Sequence, residues 1–316
     1  MSLAEEFNNM SKYSSDEKDT SVPLQDNLFE NINSCVNTIL YGPPGTGKTY
    51  TALMKIDELK KSGRLGEVLI IQFHPQYTYQ DFIEGYKFDG NNFKYTKGIF
   101  LDFCEKINND KLNILYIDEI NRADLSSVFG ELLYLMDKDS NKKVLLPLSG
   151  NEFSLPENLI IIGSMNSSDK SISLIDFALR RRFNFIFVPP SLSGFNDILL
   201  TKEIDQNFDV IKYSRFFQVI NSRILRHPLL GKNMTLGHSM FFSKSNVISN
   251  ESVFRALNST IIPQIESYFG AENHTEISQI LTPEVAESIM HGKQVSPEKM
   301  QRLIDVVASS IEEVLF

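Results

Sequence analysis

Gly42-Pro43-Pro44-Gly45-Thr46-Gly47-Lys48-Thr49 limits what this chain can fold into more than any other stretch, because it fits the pattern G-x-x-x-x-G-K-[ST] between two elements of opposite type. Thr38-Ile39-Leu40 before it reads as a strand, and Thr51-Ala52-Leu53-Met54-Lys55-Ile56 after it reads as the start of a helix. The glycines allow a tight turn whose N–H groups surround an anion at the positive end of the helix dipole. Lys48 is expected to reach the β- and γ-phosphates, Thr49 to hold Mg²⁺ through its hydroxyl, and Pro43, Pro44, Thr46 and Tyr50 to complete the loop's contact with nucleotide. A glycine-rich turn can match such a pattern by accident. With strand before and helix after, nucleotide binding becomes the premise.

The second nucleotide motif follows from the same geometry. Leu112-Asn113-Ile114-Leu115-Tyr116-Ile117-Asp118-Glu119 is an apolar strand that ends in two acids, and strand ends converge on the phosphate loop at the carboxyl edge of a parallel sheet. Asp118 is expected to bind Mg²⁺ directly or through water, and Glu119 to orient and deprotonate the attacking water. Leu159-Ile160-Ile161-Ile162-Gly163-Ser164-Met165-Asn166 is another buried strand with a polar end, where Asn166 can hydrogen-bond the γ-phosphate or that water. A helix from Ser171 closes on Arg180-Arg181-Arg182-Phe183. Three arginines there can simply satisfy a helix C-terminus, or one can stabilise charge on a neighbouring subunit's γ-phosphate.

Between these motifs the chain alternates strand and helix patterns. A strand over Glu67–Phe73, a short helix at Asp81-Phe82-Ile83, a helix over 99–108 and an amphipathic helix over Asp124–Asp137 are expected. Hairpin signals at Asp89-Gly90-Asn91-Asn92 and Ser149-Gly150-Asn151-Glu152 mark two insertions. Pro189-Pro190 breaks the pattern, and helical periodicity dominates afterwards, as in 216–225, 253–269 and 300–315. Three regions are expected: a flexible arm over 1–35, an α/β nucleotide-binding domain over 36–190 and a helical lid over 191–316.

Composition limits the partners. The net charge of −9, from 31 basic and 40 acidic residues among 316, argues against coating nucleic acid or an anionic membrane by bulk attraction, though it leaves room for a local basic patch. No apolar run approaches the roughly 18 residues of a membrane span, and no signal-peptide pattern opens the chain. Cys35 and Cys104 suit a reducing compartment, so the cytoplasm is expected.

Taken together the motifs resemble the AAA+ superfamily, in the branch with one hairpin near the second helix and another before the sensing strand. More closely, the chain resembles the McrB-type GTPase subunits of modification-dependent restriction systems. The resemblance rests on Phe73-His74-Pro75-Gln76-Tyr77 with Asp81-Phe82-Ile83-Glu84-Gly85-Tyr86, on Asp118-Glu119-Ile120-Asn121-Arg122-Ala123, and on Met165-Asn166-Ser167-Ser168-Asp169-Lys170, which looks like an M-N-x-x-D signature. Asp176-Phe177-Ala178-Leu179-Arg180-Arg181-Arg182-Phe183 and Gly237-His238-Ser239 continue it. It implies an AAA+ α/β core, a parallel sheet between helices with inserted hairpins, followed by a mostly helical lid.

The resemblance further implies that Asn166 and Asp169 form a catalytic signature and that Arg181 and Arg182 act in trans. Arg122 becomes an interface or phosphate-sensing arginine, and His238 sits in the lid near the nucleotide. It implies GTP with Mg²⁺, a hexameric ring, a separate McrC-like nuclease subunit, and DNA reached through that complex. Two departures stand out. Ser167-Ser168 and Lys170 replace the family's usual Thr-Ala and Arg, and only some 35 polar residues precede the loop where relatives carry a DNA-reading domain, as in a shortened form or a subunit whose DNA reading resides elsewhere. No guanine-reading N-K-x-D is present, since Asn141-Lys142-Lys143-Val144 lacks the acid, and no nuclease constellation is visible. An ATP-driven remodelling protein of the MoxR or midasin kind shares the hairpin and the D-E-I-N-R-A run, and stands as the alternative.

Overall fold

The computed structural model describes residues 28, 30–32, 34–107, 110–137, 142–168, 177–310 and 314. The expected arm before residue 28, Asp169, the helix start at Ser171, Asn141 and the far end of the last helix lie outside these residues. In chain order the first part contains β1 (Thr38–Gly42), α1 (Lys48–Lys61), β2 (Leu65–Gln72), α2 (Tyr79–Phe82), β3 (Glu84–Phe88), β4 (Phe93–Lys97), α3 (Ile99–Cys104) and β5 (Leu112–Asp118). It continues through α4 (Leu125–Phe129), α5 (Leu132–Leu135), β6 (Val144–Leu145), β7 (Glu152–Phe153), β8 (Leu159–Asn166), α6 (Phe177–Arg180) and β9 (Asn184–Phe187).

Strands β2, β5, β8, β1 and β9 pair in that order, all parallel. Their apolar runs are continuous because both faces of the sheet are covered. Alternation along each strand divides the residues between two cores. Leu40, Ile114, Tyr116, Ile160 and Ile162 pack with Ala52, Ile56 and Leu59 of α1, while Ile39, Leu115, Ile117 and Ile161 pack with Phe82, Phe100 and Phe129. Asp118, two residues beyond Tyr116, therefore leaves the sheet on the α1 side. The strand order also puts β8 between β1 and β5, with Asn166 opposite Gly42, so the sensing strand separates the phosphate loop from the acidic pair.

The expected helix over Asp124–Asp137 is two short helices instead. Gly130 interrupts it at φ 48°, and the ring of Tyr79 occupies the place where a Cβ would stand, 2.8 Å away. The helix from Ile99 is likewise shorter than its pattern, ending at Cys104.

Both hairpins form. In the first, Tyr86 faces Tyr95 and Phe88 faces Phe93, the latter rings 5.4 Å apart. Glu84 at its base is fully buried. Its Oε1 accepts from the backbone N–H groups of Leu148 (2.8 Å) and Ser149 (3.4 Å), and its Oε2 from the Tyr95 hydroxyl (3.1 Å). A carboxylate so deep is tolerable only because both oxygens have donors. The second hairpin's turn is thereby fastened to the first.

The remaining described elements are α7 (Leu192–Leu200), β10 (Glu203–Ile204), α8 (Val210–Arg226), β11 (Val247–Ile248), α9 (Asn250–Ala256), α10 (Ile262–Phe269), α11 (His274–Ile280), α12 (Pro283–Met290) and α13 (Pro297–Ala308). They enclose a separate core centred on Phe195, Tyr213, Phe216, Phe217 and Phe241. Replacing any one of these phenylalanines with alanine costs about 3–5 kcal/mol. The helical pattern over 253–269 resolves into α9 and α10 joined by a π-helical turn, Leu257–Ile261. No helix among the described residues is long and apolar enough to cross a membrane.

Candidate nucleotide-hydrolysis site

β1 delivers the chain into the phosphate loop, and the loop into α1. Gly47, which caps α1, has φ 81°, a left-handed conformation that costs glycine little and turns the first free N–H groups of the helix inward. Lys48 is 7% exposed, and its Nζ donates to the carbonyls of Gly42 (3.0 Å) and Pro43 (2.7 Å). Burial pulls its ammonium pKa down to about 8, against the opposing pull of Glu119 and Asp118. A cation held over its own loop in this way fits a triphosphate, whose oxygens are stronger acceptors than the carbonyls. Thr46 caps the turn from within, donating from Oγ1 to the Pro43 carbonyl at 3.1 Å, whereas Tyr50 is exposed on α1.

Asp118 stands where the β5 strand end meets α1. Its Oδ1 accepts from the Thr49 hydroxyl (3.2 Å) and the Ser164 hydroxyl, and lies 3.3 Å from the Tyr116 hydroxyl. One hydroxyl and one carboxylate, hard oxygen donors beside the phosphate loop, fit a Mg²⁺ ion that shares its coordination with phosphates.

The next residue turns away from the strand. Glu119 is a non-glycine residue with φ 51° and ψ 45°, a conformation that side chains resist and that occurs where a site requires it. Asn166 donates from Nδ2 to Glu119 Oε1 at 2.7 Å. Among the described residues the buried Oε2 accepts no hydrogen bond. Arg122 Nε comes within 3.4 Å of it without the alignment of one, so its contribution there is charge alone.

The arginines divide. Arg181 is exposed beyond α6. Arg182 is turned back onto its own chain, donating to Asp137 Oδ2 at 2.9 Å and to the Leu133 carbonyl. Arg122 is partly exposed beside Glu119.

His238, expected near the nucleotide, is brought against the loop by the lid. The N–H of Gly237 donates to the Pro44 carbonyl (3.2 Å), and that of Ser239 to the Gly45 carbonyl (3.0 Å). A Cβ on Gly237 would lie 2.1 Å from the carbonyl carbon of Gly45, so this seam admits only glycine. The His238 ring lies between Gly47 and Gly194 of α7, buried, and among the described residues its Nδ1 has no hydrogen-bond partner. Burial lowers its pKa, partly offset by Asp197.

The structure therefore gathers Lys48, Thr49, Asp118, Glu119, Asn166, Arg122 and His238 around one loop. Tyr116 and Ser164 belong to the same constellation without having been expected there, and Gly237, known from the Gly237-His238-Ser239 motif, gains a role at the seam. The sequence signal of the first two was a hydroxyl two residues before each polar strand end.

Residues 37–183 match the AAA domain family, dynein-related subfamily. Over 247 residues the chain is 38% identical to the type IV methyl-directed restriction enzyme EcoKMcrB subunit of Escherichia coli (strain K12), an alignment covering 74% of this chain and 54% of that protein. Over 301 residues it is 26% identical to the type II restriction enzyme BsuMI component YdiS of Bacillus subtilis (strain 168), covering 75% of this chain and 87% of that one. The chain thus spans about half the length of the Escherichia coli relative.

Proposed function

We propose that this chain, which belongs to the McrB-like AAA+ proteins, is a GTP-hydrolysing motor subunit that assembles into a ring and drives DNA translocation for a separate nuclease subunit. The observation that carries the reading is the Glu119 carboxylate, with one oxygen held by Asn166 and the other buried and, among the described residues, without a hydrogen bond. A water placed in line with the γ-phosphate gives its proton to that second oxygen as the new P–O bond forms, and the bond to the β-phosphate oxygen breaks. Lys48 moves its hydrogen bonds from the Gly42 and Pro43 carbonyls to phosphate oxygens. A Mg²⁺ ion held at Thr49 and Asp118 would neutralise charge on the β- and γ-phosphates.

Exposed Arg181 supports a site shared between subunits, since it is free to approach a neighbour's γ-phosphate where Arg182 is already engaged. A cytoplasmic location rests on Cys35 and Cys104, which suit a reducing compartment, and the preference for GTP, a hexameric ring, a McrC-like partner and Asp169 in the catalytic signature rest on the resemblance to the McrB-type subunits. So does a role in restricting modified DNA. The hairpin of β3 and β4 and the run Asp118-Glu119-Ile120-Asn121-Arg122-Ala123 support, as a second reading, ATP-driven remodelling of the MoxR or midasin kind. Hydrolysis of GTP and of ATP under matched conditions, with mass measured in the presence of each, decides between them. Turnover of ATP without turnover of GTP would overturn the first reading.

A further inference from the structure

We infer that Tyr116 and Ser164 are positioning residues that set the Asp118 carboxylate for metal-assisted hydrolysis, an inference that rests on the nucleotidase reading above. Tyr116 is 1% exposed and Ser164 2% exposed, on adjacent strands of the sheet. Tyr116 lies among Leu40, Ala52, Ile56, Ile114 and Ile160, where phenylalanine would pack the same volume without burying a hydroxyl. A buried hydroxyl without partners costs about 1–3 kcal/mol, so its hydrogen bonds account for its presence.

Counting protons orders those bonds. The Tyr116 hydroxyl lies 3.0 Å from Ser164 Oγ and 3.3 Å from Asp118 Oδ1, and it has one proton to give. Ser164 also has one, which it donates to Asp118 Oδ1. The consistent arrangement is a relay in which Tyr116 donates to Ser164, Ser164 to Asp118, and Thr49 to the same Asp118 oxygen. Oδ1 is thereby occupied twice, the carboxylate plane is fixed, and Oδ2 is the oxygen presented to the ion's coordination sphere. Outer-shell hydrogen bonds of this kind typically change metal affinity by about 10–100-fold when removed.

The test compares Tyr116→Phe and Ser164→Ala with the unaltered chain in three measurements: binding of Mn²⁺ in the presence of GTPγS by electron paramagnetic resonance, binding of GTPγS in EDTA, and the Mg²⁺ dependence of phosphate release. Each variant is expected to weaken Mn²⁺ binding by about tenfold or more and to raise the half-maximal Mg²⁺ by a similar factor. Metal-free GTPγS affinity should stay within about twofold, since the phosphate loop itself is untouched. Mn²⁺ affinity unchanged in both variants would overturn the inference. Should Ser164→Ala lose its circular-dichroism spectrum, Tyr116→Phe decides alone. Failure of the unaltered chain to bind or hydrolyse either GTP or ATP would instead strike the nucleotidase reading, and this inference with it.

Discussion

Asn166 Nδ2 donates to Glu119 Oε1 across 2.7 Å, joining the ends of two strands that are not neighbours in sequence. An amide N–H donates and a carboxylate oxygen accepts, so the bond occupies Oε1 and leaves Oε2 as the oxygen assigned to the base in the proposed reaction. The left-handed backbone at Glu119 is what swings the carboxylate off β5 and under Asn166.

Glu119→Gln keeps the shape of the side chain and removes its ability to take a proton. Phosphate release should fall by about 10²–10⁴-fold, while a fluorescent-nucleotide titration shows unchanged affinity. Substantial residual turnover would mean that another group is the base.

Arg181 and Arg182, adjacent in sequence, should separate in experiment. Arg182→Ala loses bonds to Asp137 and Leu133 and should lower stability by about 1–3 kcal/mol, read as a fall in melting temperature. Arg181→Ala should melt as the unaltered chain does but lose about 10³-fold or more in turnover. Mixed with Lys48→Ala subunits, themselves inactive, it should regain activity. A mixture that assembles and stays inactive would exclude a shared site.

Lys48 gives the stability a definite pH dependence. Its pKa falls from 10.5 to about 8 on folding because burial disfavours the ammonium, so between those values the unfolded chain binds the extra proton and stability rises with pH. Lys48→Met should therefore melt higher than the unaltered protein at pH 7, by up to about 3 kcal/mol, with the advantage shrinking from pH 8 towards 10.5. Triphosphate binding restores the charged form. Calorimetry in two buffers of different ionisation enthalpy should detect proton uptake on binding above pH 8 and none near pH 6.

Gly237→Ala places a methyl against the Gly45 backbone and should prise the lid from the phosphate loop at a cost of about 1–3 kcal/mol. Nucleotide affinity should weaken by roughly 5–150-fold at that cost, measured by titration, with Thr235→Ala nearby as a control for general loss of packing. Unaltered affinity would show that the seam plays no part in binding.

Much of the site was legible because its residues stand at strand ends, where an apolar run stopping at Asp118-Glu119 or at Asn166 announces itself. Both hairpins were legible for a similar reason, from turn residues flanked by alternating aromatics in the first and by short apolar runs in the second. Gly130 was not, because a lone glycine within helical spacing is usually tolerated, and only the Tyr79 ring, distant in sequence, makes it a break. Tyr116 looked like one more core aromatic until its hydroxyl was found beside Asp118. Three consecutive arginines carry no information about which side chain turns inward, a choice made by Asp137 and the Leu133 carbonyl.

Glu84 has a consequence for how such a chain can vary. Its carboxylate is sealed from water by two insertions that each supply part of its solvation: Tyr95 from one, the Leu148 and Ser149 amides from the other. Trimming one insertion removes the Tyr95 donor and trimming the other removes both amide donors, and either leaves the buried carboxylate short of hydrogen bonds. The two insertions are therefore coupled energetically, and shortening either one should cost less stability in a chain whose Glu84 is replaced by an apolar residue.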